Sequence, residues 1–181
     1  QKAIVDVVNW DATPVQATIR RALGMAGSHD TEIRAILAGR NFESDFQQDV
    51  VRDAEDLYKR AWDEEEISKR RDMRSTLTIT IDPEDAKDFD DAISYRVLDD
   101  LPAQAGGSFE IGVHIADVSH FVRPGSALDR DAQKRATSVY LVDRTIPMLP
   151  PQLSEDLCSL KPDVDRLTYS AIFTIKGTTI Q

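Results

Sequence analysis

The segment Asp82–Asp91 holds the residues of this sequence that are best suited to chemistry. It reads Asp-Pro-Glu-Asp-Ala-Lys-Asp-Phe-Asp-Asp, with six carboxylates and a single cation, Lys87. Carboxylates held this close repel one another, and their pKa values rise unless a cation lies among them. Hard divalent ions such as Mg²⁺ prefer oxygen ligands, and proteins use such ions for phosphoryl chemistry. The acidic segment therefore predicts a divalent-metal site.

Alternating patterns on both sides predict that the acidic segment joins two β-strands. Residues 77–81 alternate aliphatic side chains with threonine, and residues 93–97 alternate again. Asp82 is in phase with the threonines, so we expect it on the polar face where the first, half-buried strand ends. Asp88 and Asp90 then come from the loop, and Asp91 from the start of the second strand. Four carboxylates converging in this way are enough to bind two Mg²⁺ ions.

Two other interpretations of the acidic segment compete with a metal site for phosphoryl chemistry. An exposed acidic turn without a ligand stays open, although the flanking strands and the register of Asp82 disfavour it. A calcium-binding EF-hand loop requires a glycine at its sixth position and a helix on each side. Counted from Asp88 or from Asp90, that glycine is absent and the flanks read as strands.

The remaining patterns predict an α+β fold, with a mostly antiparallel sheet and flanking helices. Strands are expected at residues 3–10, 109–115 and 168–175, and residues 16–23 fit either a strand or a short helix. Helices are expected from Ser28 or Asp30 to Ala38, along one long amphipathic stretch at 43–70 that is either continuous or broken, and from Ala127 to about Tyr140. Residues 98–107 read as a hairpin loop, and residues 146–153 as an extended segment.

Composition narrows the classes of function. The net charge of −10 argues against a protein that simply coats nucleic acid, because such proteins carry basic surface that displaces counterions from phosphate. No apolar run is long enough to span a membrane, and the N-terminus lacks the pattern of a secretory signal. The single cysteine, Cys158, reads as a small core residue, and its lack of a disulfide partner fits a cytoplasmic location.

Six ordered blocks of sequence over about 85 residues resemble the RNase II/RNase R (RNB) exoribonucleases, nearer the RNase R branch. The blocks are Asp82–Ala92, Val113–His120, Arg135–Tyr140, Ile146–Pro150, Leu153–Leu160 and Val164–Arg166. The resemblance implies the N-terminal half of an RNB-type catalytic domain. It also implies a processive, hydrolytic 3′→5′ exoribonuclease that acts on single-stranded RNA, releases nucleoside 5′-monophosphates and uses Mg²⁺, with Mn²⁺ as the alternative ion.

The resemblance also assigns roles to individual residues. It implies that the metals are organised by Asp82, Asp88, Asp90 and Asp91, and that Asp90 is the most critical of them for cleavage. Tyr140 matches an aromatic residue that stacks on a base near the 3′ end and helps to set the length of the final product. A planar ring can stack on any base, which suits a nuclease that does not select sequence.

Several further residues have both a structural and a functional interpretation. Arg135 and Arg144 belong to the densest group of cations and could contact RNA phosphates, although surface ion pairs explain such residues equally well. His114 could face an RNA channel, but a structural histidine is favoured because Mg²⁺ prefers oxygen ligands. Asp117 could approach the acidic cluster from outside the ligand set.

The organisation of the chain predicts three segments. Residues 1–24 would be lead-in strands or the remnant of a preceding OB-like or cold-shock-like region, 25–74 a helical lead-in, and 75–181 a truncated catalytic half-domain. The chain begins with Gln1 rather than Met, which favours a piece of a longer polypeptide. The resemblance implies that the second half of the catalytic domain is missing, so we expect this piece to be inactive alone. We expect single-stranded RNA as its partner, no membrane and no obligate protein partner. An exposed edge left by truncation could cause artefactual oligomers.

Two alternative functions remain at this point. One is a catalytically inactive RNA-binding protein of the same fold, which the presence of all four aspartates disfavours. The other is a metal-binding regulatory module that has no nucleic-acid substrate. Mg²⁺-dependent cleavage of RNA separates both alternatives from the exoribonuclease.

Overall fold

The computed structural model describes residues 1–60, 63–99, 101–102, 106–177 and 179–180, and it divides into the units Gln1–Phe46 and Gln47–Gln181. The first unit contains strands β1 (Lys2–Asn9) and β2 (Gln16–Gly24), which pair antiparallel, and helix α1 (His29–Gly39). An ion pair between Lys2 and Glu32 ties β1 to α1. The predicted first strand is confirmed, and the segment that fitted two structures is a strand.

The second unit contains four α-helices and one π-helical turn among its described residues. They are α2 (Gln48–Lys59), α3 (Glu64–Ser68), α4 (Val118–Phe121), α5 (Ala127–Arg135) and the π-helical turn Leu153–Leu157. The predicted stretch at 43–70 is thus two helices, and residues 61–62 between them lie outside the described part. The helix predicted to reach Tyr140 is shorter, because Ala136 adopts a left-handed conformation with φ 65° that ends α5.

A five-stranded antiparallel sheet forms the centre of the second unit. Its strands are β3 (Leu77–Ile79), β4 (Asp91–Val97), β5 (Ser108–Ala116), β8 (Thr168–Lys176) and β9 (Thr179–Ile180), in that spatial order. Strands β6 (Val139–Tyr140) and β7 (Thr145–Ile146) make a separate small hairpin. The predicted α+β class with its antiparallel sheet is confirmed. The predicted loop at 98–107 lies partly outside the described residues.

The apolar face of the sheet is open to solvent, which corrects the expectation that the strand at residues 77–81 is half-buried. All three residues of β3 are exposed, the strand ends before Ile81, and Ile81 itself is 82% exposed. On the neighbouring strands, Ile115 is 54% exposed and Tyr169 is 77% exposed. Alternation of residue types separates the two faces of a strand but does not say what covers either face. Contiguous apolar surface of this kind often marks a contact with other protein.

The opposite face is buried at Ala92 and Ser94 of β4 and along β5, and it carries a polar network. His114 is 3% exposed; its Nδ1 lies 2.7 Å from Ser170 Oγ and its Nε2 lies 2.8 Å from Ser94 Oγ. Burial, followed by the positive charge of Arg71, lowers the pKa of His114, which favours the neutral ring. Gly112 lies beneath this network, where a Cβ atom would collide with Ser94 Oγ and with the His114 ring. The favoured structural interpretation of His114 is therefore confirmed.

Helix α2 packs against α5 and against the π-helical turn to make the main apolar cluster of the unit. Buried members of this cluster are Val50, Ala54, Leu128, Leu153 and Leu157. Within the described part of the chain, we find no helix with the length and hydrophobicity needed to cross a lipid bilayer.

Candidate active site

The acidic segment connects two adjacent strands at one end of the sheet. Ile79, the last residue of β3, pairs with Ile93 of β4, so the chain between them must turn back on itself. Asp91 is the first residue of β4 and pairs with Ile115 of β5. The Ala116 N–H donates to the Asp90 carbonyl oxygen at 3.0 Å, which extends the β4–β5 pairing into the loop. Sheet hydrogen bonding therefore holds the C-terminal end of the segment.

The charges of the other three predicted aspartates act on Asp90. The pKa of Asp90 is raised, first by desolvation and then by the negative charges of Asp88, Asp91 and Asp82. Asp90 still reaches solvent, so its carboxyl group is crowded without being sealed from water. Like charges at close range disfavour ionisation of the central group, and a bound cation would reverse that effect.

The four carboxylates do not form a preorganised metal-binding site. Across residues 1–60, 63–99, 101–102, 106–177 and 179–180, no three His, Cys, Asp or Glu side chains are grouped closely enough to hold a metal ion. Mutual repulsion is a sufficient physical reason for carboxylates to stay apart when no cation lies between them. In chemical type, four carboxylates fit a hard divalent ion that prefers oxygen ligands.

Tyr140 contacts the acidic segment directly. Its hydroxyl donates a hydrogen bond of 2.8 Å to Asp88 Oδ2, while 66% of the residue remains exposed. That hydrogen bond, followed by desolvation, raises the pKa of the Tyr140 phenol. Tyr140 lies on the hairpin of β6 and β7, where it pairs with Thr145. The structure thus brings the predicted stacking residue to one of the predicted metal ligands.

The two arginines predicted to contact RNA lie in ion pairs. The Nε atom of Arg135 is 2.6 Å from Asp131 Oδ2, and the Arg135 side chain is only 7% exposed. Arg144 pairs with the adjacent Asp143 at 2.9 Å and is about one-third exposed. Arg144 is therefore the more accessible of the two.

Asp117, the candidate outer carboxylate, pairs with an arginine that the sequence analysis did not single out. Its Oδ2 atom is 2.8 Å from Arg70, and its Oδ1 atom accepts hydrogen bonds from Ser119 Oγ and from the His120 N–H. Burial raises the pKa of Asp117, but the hydrogen bonds from Ser119, Arg70 and His120 outweigh it and lower the pKa overall. Asp117 is thus the N-cap of α4 and the partner of Arg70.

The acidic segment also meets a distant stretch of chain around Ser159. The Ser159 hydroxyl hydrogen-bonds to the backbone at Lys87 and Phe89, and the Leu160 N–H donates to the Phe89 carbonyl oxygen at 2.8 Å. The neighbouring Cys158 is buried, as predicted, and burial raises the pKa of its thiol to about 12, so it is not a reactive thiolate. Nothing in the local sequence pattern indicated the contact made by Ser159.

Comparisons with known proteins identify the family. The model of the RNB domain matches residues 70–180, and the chain belongs to the RNB-domain exoribonuclease family. It is 60% identical over 111 residues to DIS3-like exonuclease 2 of Schizosaccharomyces pombe; the match covers 61% of this chain and 11% of that protein. The chain therefore spans only a small part of this relative.

Solved structures agree with the family assignment. The fold is similar to RNase R of Mycoplasma genitalium in complex with ribose-methylated single-stranded RNA. The TM-score is 0.80 at 29% identity, covering 98% of this chain and 27% of that one. Ssd1 of yeast, a pseudonuclease, shares the fold with a TM-score of 0.66 at 23% identity, over 98% of this chain and 22% of that one. The fold therefore occurs both in an RNase and in a pseudonuclease, so the site must carry the functional argument.

The Arg70–Asp117 pair makes stability depend on pH in a defined direction. Because the folded-state pKa of Asp117 is lowered, the pair stabilises the fold above the unfolded-state pKa of about 3.9 and loses that effect as pH falls through the folded-state pKa. We expect Asp117→Asn to lower the free energy of unfolding by about 1.5–3 kcal/mol at pH 7, the range for a hydrogen bond to a charged group. The difference should shrink steadily below pH 4 in urea-unfolding measurements.

Glu55→Gln, on the exposed side of α2, is the matched control and should change stability little at either pH. An Asp117→Asn deficit that is equally large at pH 7 and well below pH 3 would contradict the assignment.

Proposed function

We propose that this chain is the aspartate-bearing part of a Mg²⁺-dependent, processive exoribonuclease that hydrolyses single-stranded RNA from its 3′ end. The observation that carries the proposal is the coupling of Asp82, Asp88 and Asp91 to Asp90, together with the contact of Tyr140 on Asp88. A nuclease needs metal ligands and a base-binding surface side by side, and these residues would supply both.

The residues that would hold metal are Asp82, Asp88, Asp90 and Asp91. Mg²⁺ is the favoured ion and Mn²⁺ the alternative, because both accept carboxylate oxygens. A pair of such ions, when bound, activates water and stabilises the leaving 3′ oxygen of a phosphodiester. The chain's own contribution is to crowd negative charge at one end of the sheet, so that cation binding relieves repulsion at Asp90.

Tyr140 would position the RNA relative to the carboxylates. Its hydroxyl is anchored on Asp88 and most of the residue is exposed, so a base could stack on the ring beside the metal ligands. Stacking tolerates any base, as an enzyme that moves along RNA requires. Arg144 is the better candidate for a phosphate contact, since Arg135 is buried against Asp131.

The reaction product, the cellular location and the division of the chain into segments are part of the same proposal. Release of nucleoside 5′-monophosphates and cytoplasmic location follow from the family resemblance and from composition. The segments 1–24, 25–74 and 75–181 are likewise proposed divisions of the chain. The family model begins at residue 70.

The proposal is tested by degradation of 5′-labelled single-stranded RNA by the protein that contains this chain. With Mg²⁺ present, Asp90→Asn should reduce cleavage by about 100- to 1,000-fold, because metal catalysis is worth several kcal/mol of transition-state stabilisation. RNA binding, measured by fluorescence anisotropy, should stay largely intact. Asp85→Asn is the matched control, since it removes the same charge from the same loop at a position outside the four ligands.

Persistent hydrolysis in the Asp90→Asn variant would refute the metal mechanism. A wild-type protein that binds RNA without cleaving it would instead support the inactive RNA-binding alternative.

Substitution can separate base stacking by the Tyr140 ring from the hydrogen bond that its hydroxyl donates to Asp88. Tyr140→Ala removes both the ring and the hydroxyl, and it should weaken binding of a short RNA by about 1–3 kcal/mol, the range for one base–aromatic stack. It should also change the length of the final product. Tyr140→Phe keeps the ring and removes only the hydrogen bond to Asp88, so RNA binding should remain close to wild type. Equal losses in the two variants would contradict a stacking role.

A further inference from the structure

We propose that Ser159 is a positioning residue of the acidic site, which fixes the backbone on both sides of Asp88. The inference rests on the proposed function, because Asp88 matters here as a metal ligand. Ser159 is distant from Asp88 in sequence, and the resemblance that includes it in the block Leu153–Leu160 assigned it no role.

The Ser159 hydroxyl both accepts a hydrogen bond from the backbone of the acidic segment and donates one to it. Its Oγ atom accepts a hydrogen bond of 3.0 Å from the Phe89 N–H and donates one of 2.9 Å to the Lys87 carbonyl oxygen. Ser159 is fully buried, at 0% exposure, so water does not reach this hydroxyl. The Leu160 N–H donates to the Phe89 carbonyl oxygen at 2.8 Å, which adds a third contact to the same short stretch of loop.

Ser159 is itself held by the adjoining π-helical turn. Its N–H donates to the Asp156 carbonyl oxygen at 2.9 Å. The Nε atom of Arg166 donates to the carbonyl oxygens of both Asp156 and Ser159, at 2.9 and 3.0 Å, and the Arg166 side chain also pairs with the Asp156 carboxylate. With its side chain only 10% exposed, Arg166 locks the segment that presents the hydroxyl.

This arrangement determines the direction of the Asp88 side chain. The backbone of one residue has only two soft dihedral angles, and here the carbonyl group before Asp88 and the N–H group after it are both tied to one hydroxyl. Ser159 thereby determines where the side chain starts, and the Tyr140 hydroxyl holds its carboxylate end. Outer groups that orient a ligand in this way typically change metal affinity by about 10- to 100-fold when they are removed.

The first test is a Mn²⁺ titration of the whole chain, in which electron paramagnetic resonance measures the concentration of free Mn²⁺. Ser159→Ala leaves the carbonyl group and the N–H group that flank Asp88 without their partner, so we expect Mn²⁺ affinity to fall by about tenfold or more. Ser154→Ala is the matched control; its hydroxyl bonds to the Leu149 carbonyl oxygen in the same region, and its Mn²⁺ affinity should stay within about twofold of wild type.

A double-mutant cycle separates positioning from general support of the fold. If Ser159 acts through Asp88, the variant carrying both Ser159→Ala and Asp88→Asn should bind Mn²⁺ no more weakly than Asp88→Asn alone. Additive losses, or an unchanged affinity in Ser159→Ala, would overturn the inference.

Amide hydrogen exchange decides the same point in the wild-type chain, even if Ser159→Ala does not fold. We expect the Phe89 amide to be strongly protected, and exchange at the rate of an unstructured peptide would overturn the inference. A wild-type chain with a protected Phe89 amide but no Mn²⁺ bound at the loop would instead refute the proposed metal-dependent function. Asp88 would then have no metal to bind, and its orientation would have no functional role.

Discussion

Repulsion among the carboxylates of one loop is the constraint that shapes this structure. The chain could have neutralised the loop with arginine, but Arg70 pairs with Asp117 and Arg71 pairs with Glu110 of β5. The loop is held mainly by neutral groups, namely the Ser159 hydroxyl, the Tyr140 hydroxyl and backbone hydrogen bonds. In the function proposed above, a divalent cation would relieve the repulsion among the carboxylates of a loop that neutral contacts hold in place.

The sheet next to this loop buries its polar face and exposes its apolar face, the reverse of the usual arrangement. Its buried face carries small and polar residues, including Ser94, Gly112 and His114, whose network crosses β4, β5 and β8. That network links β4, the strand that begins with Asp91, to β5 and β8. The large aliphatic and aromatic side chains lie on the other, open face.

Local sequence was a good guide to the loop and a poor guide to its surroundings. Alternation on either side of the acidic segment placed it correctly between two antiparallel strands, because strand periodicity is a local property. The same periodicity assigned the buried side wrongly, since burial depends on what packs against each face. The end of α5 at Arg135 was also missed, because Ala136 takes a left-handed conformation that sequences normally signal with glycine. The contacts of Ser159 with Phe89 and of Arg70 with Asp117 join distant parts of the chain, and no local pattern encodes them.

The central claim is that Asp82, Asp88, Asp90 and Asp91 close together around divalent ions. Anomalous diffraction from crystals of this chain grown with Mn²⁺ tests that claim most directly. We expect two peaks at the loop, each bound by carboxylate oxygens of these aspartates. Peaks confined to other surfaces, with the four side chains still apart at saturating Mn²⁺, would contradict it.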